Sequence, residues 1–447
     1  LRNSVVNFRI ISFAKNNWFK GLIIIAILSK IFDENLSAQE ALRQSLAGDI
    51  SAETFQRAES TLGYYNLLLG PTAWRFSSAL EMDYDSNVRL QSQGAESDVI
   101  FRPNTTTQMH WPITLKNSLD FSLGVGYSAY AVHSDLDQFF ITPGSGFLFN
   151  IYIGDCVINL HDRISITENS YENPGAISTT NNVHGNANGN GNLISLQNTI
   201  GISALWDLNK IIANAGYDHV NYVSLSNGNG SQQPDSSSDN FFANAGVHVV
   251  PEVLLGLEVG GGFINYAQTG TNQFNVILAE PDAAQWNAGA FVSAQISQYI
   301  STRLDAGYTE YLPDSTSTNF FSSKGSGFYF QFSLTHQLNQ HINYSLSAGR
   351  STDFSSYGQL QQYYFVRLQP NWNFLHKYQL STPISWQHGT QLANQTYDQF
   401  SIGILLGRQL TRKLSGGLSY QFIKESSNQT SLSYLVNIVS LNLSYQF

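Results

Sequence analysis

The sequence predicts an all-β fold: a closed antiparallel transmembrane β-barrel of about eighteen strands, preceded by a short N-terminal helical segment. Three observations point there. Only 12% of the 447 residues are charged while 13% are aromatic, against roughly 25% charged in an ordinary soluble protein. From Trp74 onward, apolar and small neutral residues alternate with period two, which places them on opposite faces of a strand. The connections between these segments fall alternately into short and long classes, as an up-and-down barrel requires. The aromatic content excludes a disordered chain, and Cys156, the single cysteine, excludes a disulfide scaffold. One apolar stretch at the extreme N-terminus cannot build a helical membrane bundle.

That stretch reads as an export signal over residues 1–38. Lys15 and Lys20 precede the apolar run Gly21–Leu28, and Leu36-Ser37-Ala38 ends in small residues like a cleavage site. The apolar run is too short to span ~30 Å of hydrocarbon. Removing residues 1–38 would take the formal charge from −10 to −13. Residues 39–70 follow as a helical or linker segment, with good helix formers over 39–60 and Ser51 as an N-cap candidate. The barrel itself is assigned to 71–447.

The last strand shows the pattern most clearly. Val439, Leu441, Leu443, Tyr445 and Phe447 alternate with Ser440, Asn442, Ser444 and Gln446. Leu119–Ala129, Val253–Phe263, Ala284–Ile296 and Phe328–Leu334 repeat it. The polar face is small and neutral, which suits a wet lumen better than an outer protein surface. The rule gives strands at 73–85, 98–111, 117–132, 138–153, 155–169, 191–206, 210–224, 238–250 and 252–266. It continues with 283–298, 301–313, 324–337, 340–352, 360–374, 376–388, 394–409, 412–425 and 431–447. Each exceeds the ~9–11 residues of a tilted membrane strand. Pro103, Pro143, Pro370 and Pro383 fall inside these spans, where each deletes a ladder donor. Pro143 suggests a later strand start and the others suggest bulges. Asp162, on the outward parity, calls for a bulge that would turn it inward. These irregularities leave sixteen strands open as an alternative count.

Short connections such as 154–155, 207–210 and 410–411 alternate with long polar ones such as 86–97, 170–190 and 267–282. Both ends of the barrel then lie on the short-turn side, which in bacterial outer-membrane barrels faces the periplasm. Trp74, Trp111, Trp206 and Trp372 fall near short-turn ends, and Trp286 and Trp386 near long-loop ends, as an aromatic girdle would.

Parity sends Arg75, Glu81, Asp83, Arg102, Asp120, Arg163, Asp218, Glu258, Arg303, Asp305 and Arg367 to the lumen as pore-lining residues. Both charge signs there set up a transverse field that orients dipolar solutes. The ten histidines lack zinc spacing and Cys156 lacks a partner, so neither a metal nor another cofactor is expected. Gly260-Gly261-Gly262 lies within a strand and is no phosphate cradle. His161 with Arg163 is the best catalytic-looking pair, and no enzyme activity is expected from it. Nothing points to nucleic acid.

The terminal Tyr445-Gln446-Phe447 resembles the assembly signal of Gram-negative outer-membrane barrels, in which a final aromatic is recognised by the insertion machinery. Tyr65-Asn66-Leu67-Leu68-Leu69-Gly70-Pro71, Arg75-Phe76-Ser77 and Asp83-Tyr84-Asp85-Ser86-Asn87-Val88 resemble the opening of the β-barrel porin-2-like proteins. The resemblance implies a bacterial outer-membrane location, lipid as surroundings, and homotrimers as a common assembly. With sixteen to eighteen strands a barrel keeps an aqueous channel. The expected function is therefore a porin passing small hydrophilic solutes, weakly cation-preferring because 71–447 carries 15 basic and 26 acidic residues. Rival readings are a barrel for exopolysaccharide export, in line with members of the resembling family, and a structural or adhesive surface barrel. A transporter with a plug domain does not fit the short segment ahead of the barrel.

Overall fold

The structure, a computed structural model, describes residues 65–168, 194–225, 235–267, 269–271, 277–278, 282–314, 325–354, 360–375, 377–391, 395–428 and 433–447. The proposed signal (1–38) and residues 39–64 lie outside these. Strands β1 (Thr72–Asp85), β2 (Asp98–Pro112), β3 (Ser118–Tyr130), β4 (Gln138–Ile153), β5 (Cys156–Glu168) and β6 (Ile194–Asp207) begin the wall. It continues through β7 (Ile211–Ser224), β8 (Ser236–Val250), β9 (Val253–Tyr266), β10 (Ala283–Ser297), β11 (Ile300–Pro313) and β12 (Gly325–Gln337). It ends with β13 (Ile342–Phe354), β14 (Leu360–Phe374), β15 (Tyr378–Ser381 and Ile384–Gln391), β16 (Gln395–Gln409), β17 (Leu414–Ser427) and β18 (Tyr434–Gln446). Each strand pairs antiparallel with its sequence neighbours, and β1 pairs with β18 from Ser77↔Gln446 to Asp85↔Ile438, which closes the ring. The count is eighteen, not sixteen. Leu67–Leu69, within the segment read as helix or linker, forms a short extended rung on β1 instead.

Closure abolishes the open edge that a long sheet would otherwise present. Both ends of the β1–β18 seam are clasped by side chains. At the short-turn end Asn66 donates Nδ2 to the Phe447 carbonyl and accepts the Phe76 amide at 2.8 Å. At the long-loop end Ser86 and Asn437 exchange backbone and hydroxyl bonds of 3.0 and 2.8 Å. Asn87 Nδ2 reaches the Gln91 carbonyl at 2.9 Å and the Leu435 carbonyl at 3.2 Å. The 86–97 loop thereby turns inward. Leu90, at φ 56°, packs with Ile423, Tyr434, Val436 and Ile438, and Val88 packs with Ile100 and Tyr130. A leucine in the left-handed region is uncommon, and here the apolar contacts of its side chain hold it.

The two faces divide as the alternation requires. On β9 Leu255, Leu257, Val259 and Phe263 are exposed outward, while Gly256, Glu258, Gly260 and Gly262 face inward. Fully covering one such Leu or Phe is worth about 1.5–3 kcal/mol, so a wall of them is unstable against water. Inward side chains are buried in the long-loop half (Asp83, Ile100, Asn240, Tyr311, Tyr363, Val436) and part-exposed in the short-turn half (Ser77, Ser333, Ser347, Ser419). Inward side chains are therefore more enclosed toward the long-loop end.

Several inward aromatics lie flat against glycines of neighbouring strands. Phe242 covers Gly216 and Phe291 covers Gly256. Tyr329 on β12 crosses Gly307 on β11 and Gly289 on β10 to donate its hydroxyl to Glu258 on β9 at 2.6 Å. Rings laid along the wall leave the bore wider than rings projecting into it.

The prolines correct the reading from sequence. Only Pro143 sits at a bulge, between register breaks at Ser122/Val125 and Ile141/Ser145, and β4 starts ahead of it at Gln138. Pro103 and Pro370 keep the regular register, and Pro383 merely interrupts β15 without shifting it. Asp162 does not turn inward. The β5–β6 ladder runs unbroken past it, it stands among outward Phe147 and Ile200, and Asn198 Nδ2 binds its carboxylate at 2.6 Å. That bond offsets part of the roughly 2 kcal/mol expected for an acidic group at mid-membrane height.

Three substitutions test this wall. A Cβ at Gly289 would stand 2.2 Å from the Tyr329 hydroxyl and 2.8 Å from the Ala306 carbonyl. Gly289→Ala should destabilise the barrel by about 1–3 kcal/mol; Gly407→Ala, whose nearest atom is 3.9 Å away, should not. Asn87→Ala should lower the temperature at which the detergent-folded barrel loses its compact electrophoretic band, because the Gln91 carbonyl of the loop and the Leu435 carbonyl of β18 lose donors worth about 0.5–1.5 kcal/mol each.

Candidate functional site in the barrel lumen

Among the described residues, the lumen wall brings polar side chains together from many strands. Register and burial place Arg75, Glu81, Asp83, Arg102, Asp120, Arg163, Asp218, Glu258, Arg303, Asp305 and Arg367 on its inner face. They do not meet as one cluster. Arg102 binds Asp83 across β1–β2 and Ser128 Oγ at 3.2 Å. Asp120 meets His110 Nδ1 at 2.5 Å and Ser118 Oγ at 3.3 Å.

Asp218 on β7 reaches His161 on β5 at 3.0 Å, and His161 also meets Asn159 at 3.0 Å. The β6 residue between them is Gly201, where a Cβ would lie 2.0 Å from Asp218 and 2.6 Å from His161. The bond exists because that position has no side chain. The sequence pairing of His161 with Arg163 missed Asp218, whose approach depends on strand order.

Arg303 lies 4.4 Å over the Phe291 ring, 2.7 Å from Asp305 and 3.7 Å from Glu258. Arg367 stacks 4.8 Å over Phe365. It has no carboxylate at ion-pair distance among the described residues. The described ion pairs thus join neighbours along the wall and leave Arg367, half-buried at mid-height, outside them. Among the described residues no cluster of three or more His, Cys, Asp or Glu side chains has metal-site geometry.

The long-loop mouth carries a second polar group. Arg89 binds Glu96 at 3.1 Å and Asp135 at 2.6 Å, tying the 86–97 loop to the 3₁₀ turn Ser134–Leu136. His133 binds Asp98 at 2.8 Å and Glu96 at 3.1 Å. The hydrogen bond from Arg89 holds the Asp135 carboxyl below its ordinary range, and the same bond raises Arg89.

On the outer face Trp111, Trp206 and Trp372 are exposed near short-turn ends, Trp286 and Trp386 near long-loop ends, and Trp74 stacks on Phe76. Tyr445 and Phe447 are also exposed outward, their rings edge to face at 5.2 Å.

No family model and no curated protein matches the chain. Among solved structures, OccK5 (OpdH) of Pseudomonas aeruginosa is 10% identical over 84% of this chain and 98% of its own, with a TM-score of 0.46. OccAB3 of Acinetobacter baumannii is 10% identical over 84% and 99%, at 0.45. A loop-deletion mutant of OmpT, an outer membrane protein of Vibrio cholerae, is 7% identical over 84% and 100%, at 0.42. Nothing about the solutes of this chain follows from these likenesses.

The mouth network sets a pH response. Because the folded-state value of Asp135 is depressed, its contribution is complete above the ordinary carboxylate range and is lost as pH falls through the folded value. Hydrogen exchange of the Val88–Leu90 amides should be steady in protection from neutral pH to about 5 and less protected in more acidic buffer, after correction for intrinsic rates. Asp135→Asn should remove the contribution of this tie at neutral pH.

Proposed function

We propose that the chain is a bacterial outer-membrane porin, a water-filled barrel through which small hydrophilic solutes diffuse. One observation carries the reading: the eighteen-strand closed wall is apolar outside and polar inside. A ring of that size is too wide for its own side chains to fill, and the flattened aromatics widen it further. Hydrocarbon is the solvent that makes the outer face stable, with the tryptophans at its two boundaries. The short connections would face the periplasm together with both ends of the barrel. Tyr445 and Phe447 would be read by the insertion machinery during assembly.

The excess of acidic over basic residues in 71–447 favours a weak cation preference across the whole bore. Asp218, Glu258 and Asp83 are buried in contact with bonded partners, which keeps that preference weak.

Refolded protein added to a planar bilayer should give stepwise conductance, and a potassium chloride gradient should give a small reversal potential of the cation-selective sign. A bilayer that stays silent with correctly folded barrel would overturn the porin reading. A clear anion-selective potential would overturn the cation preference alone.

A further inference from the structure

Arg367 belongs to a row of inward residues that the register aligns across six strands. Arg303 faces Ser333, Ser333 faces Ser347, Ser347 faces Arg367, Arg367 faces Ser385, and Ser385 faces Ser401. At about 4.8 Å per strand the two arginines stand roughly 14 Å apart with only serines between. The Ser385 and Ser401 hydroxyls bond each other at 2.7 Å. In the rows immediately above and below, β12 to β16 place no acidic side chain inward.

The two arginines differ in what already occupies them. Arg303 is engaged by Asp305 and Glu258. Arg367 has its flat face on Phe365, which leaves the guanidinium edge free to donate. A planar fork of this kind matches one carboxylate through two parallel bonds. A phosphate monoester, with up to two charges, would draw on a second free cation that the row does not offer. The serines on either side supply hydroxyls at the spacing of neighbouring strands, suited to a solute that is itself hydroxylated.

We propose that Arg367, with Ser347 and Ser385, forms a docking site inside the lumen for a polyhydroxylated carboxylate, that is, a sugar acid. This deepens the porin reading and rests on the lumen being accessible to solutes. Binding there is local and compatible with weak cation preference of the whole bore, which reflects the summed charge.

The test uses D-glucuronate, with D-glucose, acetate and glucose 6-phosphate as comparisons. It is read both as current blockade in a planar bilayer and as calorimetric binding to the detergent-folded barrel. Glucuronate should block and bind the natural protein. Glucose should do neither at the same concentration, and acetate and glucose 6-phosphate should bind at least tenfold more weakly. Arg367→Gln should weaken glucuronate at least tenfold in both readouts. Arg75→Gln, which removes an equal charge near the short-turn end, should change it less than twofold. Equal losses in the two variants would reduce the effect to diffuse electrostatics and overturn the site. Glucose binding as tightly as glucuronate would overturn the role of the cation, acetate doing so the role of the hydroxyls, and glucose 6-phosphate doing so the carboxylate assignment. Steady conductance with neither blockade nor binding would overturn this proposal and leave the porin reading standing, whereas binding without conductance would do the reverse.

Discussion

Pairing of the first strand with the last is the contact on which the rest of this structure depends. A sheet of eighteen strands left open would expose two rows of unpaired amides and carbonyls, unaffordable in hydrocarbon and a hazard for misassociation in water. Closure also has to be made between residues far apart in sequence, Ser77 with Gln446 and Asp85 with Ile438. Contacts of such separation carry the largest loop entropy before they return any free energy. The chain places extra bonds at just these ends: Asn66 with the terminal Phe447, Ser86 and Asn87 with the opening of β18. The Asp83–Val88 segment, noticed in the sequence for its resemblance, therefore has a structural role. Asp85 Oδ1 accepts the Asn87 amide at 2.7 Å, turning the chain so that Asn87 can reach β18.

Once closed, the ring imposes a second condition, that every strand keep one face for each solvent. This made most of the wall legible in the sequence. Period-two alternation is a local property, and the strand bounds read from it differ from the observed ones by three residues or fewer at every end, even where Pro383 divides β15. A proline in a strand announces a missing donor but says nothing of the register. Pro103 and Pro370 lose a bond yet shift nothing, since their neighbours on the same strand stay paired. Asp162 misled for a different reason: the partner that tolerates its outward position, Asn198, sits on another strand.

The inner surface was legible only by parity. Alternation assigned Glu258 and Tyr329 to the lumen, yet their contact spans three strand steps and crosses two glycines that must both lack a Cβ. The same holds for His161 and Asp218, joined over Gly201. A glycine in a strand reads as a weak point when considered alone. Here it is the partner of an aromatic ring or of a hydrogen bond on a neighbouring strand, and only the register shows which one.

Charge in the lumen follows from the same geometry. Buried acidic side chains on the inner face persist only with donors attached: Arg102 on Asp83, the Tyr329 hydroxyl on Glu258, the Tyr434 hydroxyl on Glu425 at 2.7 Å. Their charge is largely committed to the wall. Along the serine row side chains are only part-buried, and a guanidinium there needs no ionic partner to be stable. Arg367 remains uncommitted for that reason, supported by Phe365 from below and by hydroxyls at its sides. Net charge counted over the chain and charge available to a solute are thus different quantities. The first is acidic and sets the field of the whole bore, whereas the second includes a basic group at mid-height whose edge is not engaged by a carboxylate.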